Sequence, residues 1–373
     1  MRLKKILILI FCIITSFSCR NNSTPSSIKS VETRDYTNLR FDTLSTNVVD
    51  NFFNHSKSKH VLVEPEYFVW GLSVIEWKGK YHAYYARWKR KDGFSAWMTD
   101  CEIAHAVSTT PEGPFEFVNV VLESRKNSGW DINNSHNPYS IVANGKICLY
   151  YISNDITKYS TTENGTLKQP DSSWLSSNRK LLRNSQRIGV AIAEDPSGPF
   201  IRSEKPIVEP DNIKFKNIAV NPSVAFHNNQ YTMIMKSDDV NKEEWFRIQL
   251  VGKAPKPDGP FQFSSKPVYD KVQTEDACMW FDNVLNTYYM VCHVMGKSEL
   301  ALFKSENGSD WQPDDRKIFM KKEFSLSDGT IWKPERVERP FVLTDKTGKP
   351  VMIYVAVFDK NVTGNIAIPI KIE

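Results

Sequence analysis

The sequence predicts an all-β fold, a five-bladed β-propeller, on three observations. A two-strand hairpin pattern recurs five times. A Pro-x-Gly-Pro-Phe turn recurs three times behind a third strand. No stretch carries a long helical period, and turn residues punctuate the chain throughout. A two-sheet sandwich is the competing all-β arrangement, and it does not call for five matched hairpins.

The hairpins follow in order. The first runs from Ser73 through the Lys78-Gly79 turn to Tyr84 and Tyr85. The second opens at His136-Asn137-Pro138, turns at Asn144-Gly145 and returns to Tyr150 and Tyr151. The third opens at Asn221-Pro222-Ser223 and turns at Asn228-Asn229 into Tyr231. The fourth opens at Glu275-Asp276, turns between Asn283 and Asn286, and returns as Tyr288 to His293. The fifth opens at Arg339-Pro340 and passes Gly348 to end at Tyr354. Each joins two strands rich in β-branched and aromatic residues around a Gly, Asn or Asp turn. The copies recur roughly every 55 to 85 residues, longer than a bare blade, which implies large inserted loops.

The third strands carry their own repeat. Glu102 to Ala106 leads into Pro111 to Phe115, Arg187 to Ala191 into Pro196 to Phe200, and Arg247 to Val251 into Pro257 to Phe261. Ser305 to Trp311 fills the matching place in the fourth blade and resembles the Asp-box turn of sialidase-type propellers.

Residues 1–19 read as a leader. Arg2, Lys4 and Lys5 precede the apolar run Ile6 to Ile14, then small residues and Cys19. The run is too short to span a bilayer. It resembles a bacterial lipoprotein signal, with Cys19 as the lipidated residue anchoring the chain to a membrane, periplasm-facing or at the cell surface. An ordinary cleaved secretory signal is the other reading, because Ser16 stands where Leu is usual. Residues 20–55, rich in Ser, Thr and Asn, read as a flexible tether, which leaves 56–373 for the propeller.

The formal net charge is +5. It falls to about +2 once the three leader cations are set aside, with no basic stripe, so nucleic acid is excluded as a partner. Cys101, Cys148, Cys278 and Cys292 have no zinc-ligand spacing. Cys278 and Cys292 flank a hairpin turn, as a disulfide or as two buried thiols. No cofactor and no metal is expected. The aromatic share of 12% suits strands, blade seams and the stacking of flat rings on sugars.

In a propeller the innermost strands line the axis, so the residues opening them converge at one end of the channel. Those residues are Trp70 to Ser73, His136 with Asn137, Asn221, Glu275 with Asp276, and Arg339. These openings, with the three Gly-Pro-Phe turns, make residues 60 to about 370 similar to the family 43 and related five-bladed glycoside hydrolases, and most to their polysaccharide-utilisation lipoproteins. The resemblance implies hydrolysis of glycosidic bonds by inversion, with an Asp base from the first blade, a Glu acid and a supporting Asp. That chemistry needs two carboxylates about 6.5–9.5 Å apart, one protonated and one ionised.

Glu275 is then the acid candidate, with Asp276 beside it to raise its pKa by like-charge proximity. The equal alternative, from alternation along a strand, is that only one of the two faces the channel. The base is where the pattern breaks, because Val69-Trp70-Gly71-Leu72 occupies the first-blade position. Glu64 and Glu66 lie upstream and Glu102 on the third strand, none at the expected place. His136 and His293 are proton carriers or structural hydrogen-bonders. Arg187 and Arg339 are clamps for a sugar carboxylate or sulfate, or partners of Glu102, Glu335 or Glu338. Trp70, Trp130 and Trp280 are stacking platforms or core, and Ser128 to Asp131 reads as a loop entering the mouth.

Two functional readings follow: a glycosidase, exo-acting on oligosaccharides from a plant or algal polysaccharide, and a non-catalytic glycan-binding propeller. A polysaccharide lyase is a third and remoter one. The fold alone does not choose among them.

Overall fold

The computed structural model describes residues 34–372 apart from 124, 126–128, 156–161, 164–165 and 168–171. The leader with Cys19, residues 20–33 of the expected tether and Ser128 lie outside the described residues. What is described is a five-bladed β-propeller, as the hairpin repeats predict.

Blade I is built from Tyr67–Trp77, Lys80–Lys89, Glu102–Ser108 and Glu116–Leu122, paired antiparallel in that order from axis to rim. Blade II uses His136–Ala143, Lys146–Asn154, Gln186–Ala193 and Ile201–Arg202. Blade III uses Lys216–His227, Gln230–Asp238, Arg247–Ala254 and Gln262–Pro267, and blade IV uses Thr274–Asp282, Thr287–Val294, Glu299–Ser305 and Gln312–Lys321. Blade V takes Arg336–Thr344, Pro350–Asp359 and Val362–Lys371 from the C-terminus and borrows its outer strands, Arg40–Phe41 and Val61–Leu62, from the N-terminal side.

That borrowing corrects the tether boundary. Residues 34–55 pack as part of the propeller. Tyr36 stacks on Tyr289 at 4.1 Å and its hydroxyl donates to Asp282 at 3.0 Å. Arg34 pairs with the same buried carboxylate at 2.9 Å. The helix Asn47–Phe53 sinks Phe52 to zero exposure against Trp332. The polar composition of this stretch hid a few anchoring aromatics.

The repeats turn out to be the joints between blades. Tyr84 on blade I donates its hydroxyl to the carbonyl of Pro196 in the turn of blade II at 2.9 Å. Tyr150 does the same to Pro257 of blade III at 3.1 Å, and Tyr354 of blade V to Pro111 of blade I at 2.7 Å. The glycine in each of these turns has φ between +90° and +94°, which a side chain resists. Blade IV uses the Asp-box-like turn instead, in which Asn307 Oδ1 accepts from the backbone of Ser309 and Asp310. Lys253 of blade III reaches the carbonyl of Asn307 at 2.8 Å. Each such bond adds on the order of 1 kcal/mol and fixes the rotation of one blade on the next.

A helix absent from the sequence reading, Ser172–Asn184, sits in the connection between the second and third strands of blade II. The four cysteines are buried and free. Cys278 and Cys292 pack into different apolar clusters of their blade, so they are two buried thiols.

Candidate active site

The five inner strands break their pairing at the same place. The register shifts between Trp70 and Ser73, His136 and Tyr139, Val220 and Ser223, Glu275 and Cys278, and Glu338 and Phe341. At each break one residue is left-handed: Gly71 at φ +63°, Asn137 at +48°, Asn221 at +52°, Asp276 at +58° and Arg339 at +51°. These are β-bulges, which bend a strand and re-aim its side chains. Asn and Asp tolerate the left-handed region, whereas Arg rarely adopts it, so Arg339 needs surroundings that hold it.

Those surroundings are the other bulges. Asn137 Nδ2 donates to Asn221 Oδ1 at 3.0 Å, and Asn221 Nδ2 donates to Asp276 Oδ1 at 2.6 Å. Asp276 Oδ2 accepts the Arg339 backbone N–H at 3.3 Å, and the Arg339 guanidinium lies 3.4 Å from Oδ1. Gly71 completes the circuit: a Cβ there would stand 3.6 Å from Arg339 Nε and 3.8 Å from Asn137 Oδ1. Four of the five mouth residues therefore bind one another in a polar ring around the axis.

Three residues further on, the next turn of each strand locks the ring. Ser140 N donates to Ser73 Oγ and Met279 N to Ser223 Oγ, both at 2.7 Å, and Val342 N to Cys278 Sγ at 3.1 Å.

Above the ring stands a second tier, one residue earlier on each strand: Trp70, His136, Val220, Glu275 and Glu338. The second tier, with Asn137, Asn221, Asp276 and Arg339 of the ring, lines one cavity of about 490 Å³. The expectation that only Glu275 or Asp276 faces the channel fails because the bulge suspends the alternation. The cavity is walled by Trp88 and by Trp97 from the blade I connection, by Trp245 from blade III and by the helix Ser172–Asn184, which brings Arg179 and Arg183.

Glu275 is held between two cations. Its Oε2 accepts from Lys236 at 2.8 Å and lies 3.2 Å from Arg247 Nε, and Oε1 is 3.9 Å from His293 Nδ1. Burial opposes ionisation, but Lys236 and Arg247 together outweigh it and bring the pKa down to about 2. This reverses the expected rise from Asp276: the ring occupies Asp276 while the cations dominate Glu275. Across the cavity Glu338 is gripped by Arg336 through two bonds of 2.9 Å. Arg336 also lies over the Trp70 ring at 5.2 Å.

His136 is 2% exposed, packed edge-on against Trp97, and neither ring nitrogen makes a well-formed hydrogen bond among the described residues. Burial, reinforced by Arg339, pulls its pKa to about 3, so the imidazole is neutral. Burial lowers the pKa of His293 as well.

Other expected site residues lie elsewhere. Glu102 pairs with Arg87, which also binds Glu64 at 2.8 Å, in a separate cleft between blades I and V. No carboxylate among Glu64, Glu66 and Glu102 enters the axial cavity. Arg187 directs one guanidinium nitrogen to the carbonyls of Asn184, Gln186 and Asn217, at 2.8–2.9 Å, and fastens blade II to blade III. Trp130 stacks on Tyr151 in the seam between blades I and II, and Trp280 stacks on Tyr289 within blade IV, both buried. The sequence reading missed Lys236, Arg247, Arg336 and the lining role of Glu338. Glu338 was within reach, since it precedes Arg339 as Glu275 precedes Asp276.

The architecture has known counterparts. The fold is shared with five-bladed glycoside hydrolases. A family 117 glycoside hydrolase produced by the marine bacterium Zobellia galactanivorans superimposes with a TM-score of 0.58 at 15% identity, over 90% of each chain. The catalytic domain of a GH62 α-L-arabinofuranosidase from Coprinopsis cinerea gives 0.57 at 9% identity, over 89% of this chain and 98% of that one. A GH43 β-xylosidase/α-arabinofuranosidase from a compost microbial metagenome, in complex with xylotriose, gives 0.53 at 13%, over 85% and 94%. No protein-family profile matches the chain, and no curated protein does.

Proposed function

We propose that the chain is a glycosidase that takes the end of an oligosaccharide, from a plant or algal polysaccharide, into the axial cavity. One observation carries the reading. Three carboxylates from two adjacent blades, Glu275 and Asp276 of blade IV and Glu338 of blade V, line one cavity with aromatic walls, a setting in which a sugar ring can stack beside paired carboxylates with room for the attacking water. Glu275, ionised down to about pH 2, suits a general base or a charge-stabilising role. Glu338 is the most solvent-accessible of the three, with 21% of its side chain exposed; bound by Arg336 it is ionised, and it becomes a proton donor only if the incoming sugar draws Arg336 away. Asp276 acts through the ring, positioning Asn221 and Arg339. The blind end formed by the ring favours attack at chain termini.

The second reading, glycan binding without turnover, is supported by a specific feature: Gly71 stands at the first-blade mouth, where related enzymes carry their base. A screen of aryl glycosides and oligosaccharides with the wild type, Glu275→Gln and Glu338→Gln separates the two. Monosaccharide release lost by at least about a hundredfold in either variant supports the glycosidase. Binding by all three chains with no release by any supports the binding module. The leader motif with Cys19 supports export and lipid anchoring, and radiolabelled palmitate incorporation lost in Cys19→Ser tests it.

A further inference from the structure

The charges in the cavity wall do not balance. Arg183 is met by buried Asp238 through bonds of 2.6 and 2.7 Å, Arg339 by Asp276 and Arg336 by Glu338. Lys236 and Arg247, however, share the one carboxylate of Glu275. Arg179, exposed on the helix, makes no ion pair among the described residues. In a confined, partly desolvated space, uncompensated positive charge is unfavourable until an anion arrives.

Arg247 is shaped to receive one. Its Nε faces Glu275 and one terminal nitrogen touches Met295 Sδ at 3.6 Å; the other terminal nitrogen makes no hydrogen bond among the described residues. Guanidinium donors left over in this way form the fork that grips a planar carboxylate or a sulfate. A second, independent observation points to a ligand. Neither ring nitrogen of buried His136 makes a well-formed hydrogen bond among the described residues, Asn137 being its one polar neighbour, and Arg339 Nε on the same cavity wall is likewise without one. Buried polar atoms of this kind are rare unless a partner arrives. An adjoining cleft shares His293, Arg336 and Glu338 with the cavity and adds four lysines, Lys297, Lys321, Lys322 and Lys333, against two carboxylates, Glu323 and Glu335, so cations remain in excess although Glu323 pairs with Lys321 and Lys333.

We infer that the sugar unit held in the axial cavity is acidic, carrying a carboxylate or a sulfate, and that Arg247 receives the anionic group with Lys236 beside it. This rests on reading the cavity as a glycan site and names its substrate class. The neutral His136 meets a hydroxyl of the same unit, since an uncharged imidazole can donate from one nitrogen and accept at the other.

Calorimetric titration of the full chain tests this with two matched pairs: trigalacturonate against its methyl ester, and a sulfated κ-carrageenan oligosaccharide against its desulfated form. The expected result is that the charged member of one pair binds at least about tenfold more tightly than its neutral twin, and the pair that does so identifies carboxylate or sulfate. Arg247→Gln should erase that preference by weakening the charged ligand at least about tenfold more than its neutral twin, and Arg247→Lys should recover only part of it. Arg179→Gln, an exposed change that cannot disturb the core, should weaken the charged ligand alone by a few fold and steepen no other dependence. Equal binding of twins in both pairs, no binding of either charged probe, or equal weakening of charged and neutral ligands by Arg247→Gln overturns the inference. Hydrolysis of neutral oligosaccharides without such preference would overturn it and leave the glycosidase reading standing; tight acidic binding without turnover would do the reverse.

Discussion

At Asp276 a left-handed backbone, a bulged strand and a buried carboxylate coincide, and the carboxylate oxygens satisfy Asn221 and the backbone of Arg339 at once. Strained backbone of this kind persists only where its surroundings over-determine it. Here the five bulges support one another around the axis. His136, one residue before its own bulge, shows what such a site does to titration. Its folded pKa of about 3 lies below the ordinary value of 6.5. Below about pH 6.5 the unfolded chain takes up a proton that the folded chain refuses until about pH 3, so stability falls as pH drops through that window, by about 1.4 kcal/mol per pH unit from this group. His136→Gln is expected to remove that slope. Urea unfolding at pH 7, 6, 5 and 4 checks it: the stability difference between wild type and variant should shift steadily in the variant's favour as the pH is lowered, and a constant difference refutes it.

At the scale of elements, the Pro-x-Gly-Pro-Phe turn is a receiver for the neighbouring blade. The tyrosine hydroxyls of Tyr84, Tyr150 and Tyr354 each cross a seam to a proline carbonyl. Tyr150→Phe keeps the ring and deletes only the donor, leaving the Pro257 carbonyl short of a partner. The expected loss is about 1–3 kcal/mol. Tyr84→Phe lies on a different seam and should add to it almost independently. Equilibrium denaturation of the single and double variants checks both statements. The helix Ser172–Asn184 belongs to this scale too. It was illegible because its many serines and polar residues keep the segment hydrophilic on average, so that it reads as loop, and its buried anchor Leu182 meets Met98 only through the tertiary fold.

For the molecule as a whole, circular closure is the decisive event. Blade V is completed by Arg40–Phe41 and Val61–Leu62 against Val362–Lys371, so chain ends distant in sequence meet in one sheet. Arg34 and Tyr36 then tie the same segment to Asp282 of blade IV. Removing residues 1–33 is expected to leave the melting temperature of the propeller unchanged. Removing residues 1–43 breaks the closure and strands the buried Asp282 without its cation. A buried pair broken on one side costs about 3–5 kcal/mol, which for a domain of this size is roughly ten degrees. Thermal melts of the two truncations decide it, and equal melting temperatures would refute a sealing role for residues 34–43.

The sequence by itself determined the number of blades, the hairpins, the three-strand repeat and the residues at the five mouths, because strand alternation and turn chemistry are local and leave a readable period. Trp70, His136, Asn137, Asn221, Glu275, Asp276, His293 and Arg339 all reach the cavity that the mouths implied. What tertiary structure alone decided was the electrostatic role of each. Lys236 and Arg247 sit on the second and third strands of blade III and meet Glu275 of blade IV only across the seam, Glu102 pairs with Arg87, and Arg187 is absorbed by backbone carbonyls. A pKa depends on charges and burial a few ångströms away in space. Once five bulges turn consecutive residues inward together, neither spacing nor alternation along the chain records which charges will be neighbours.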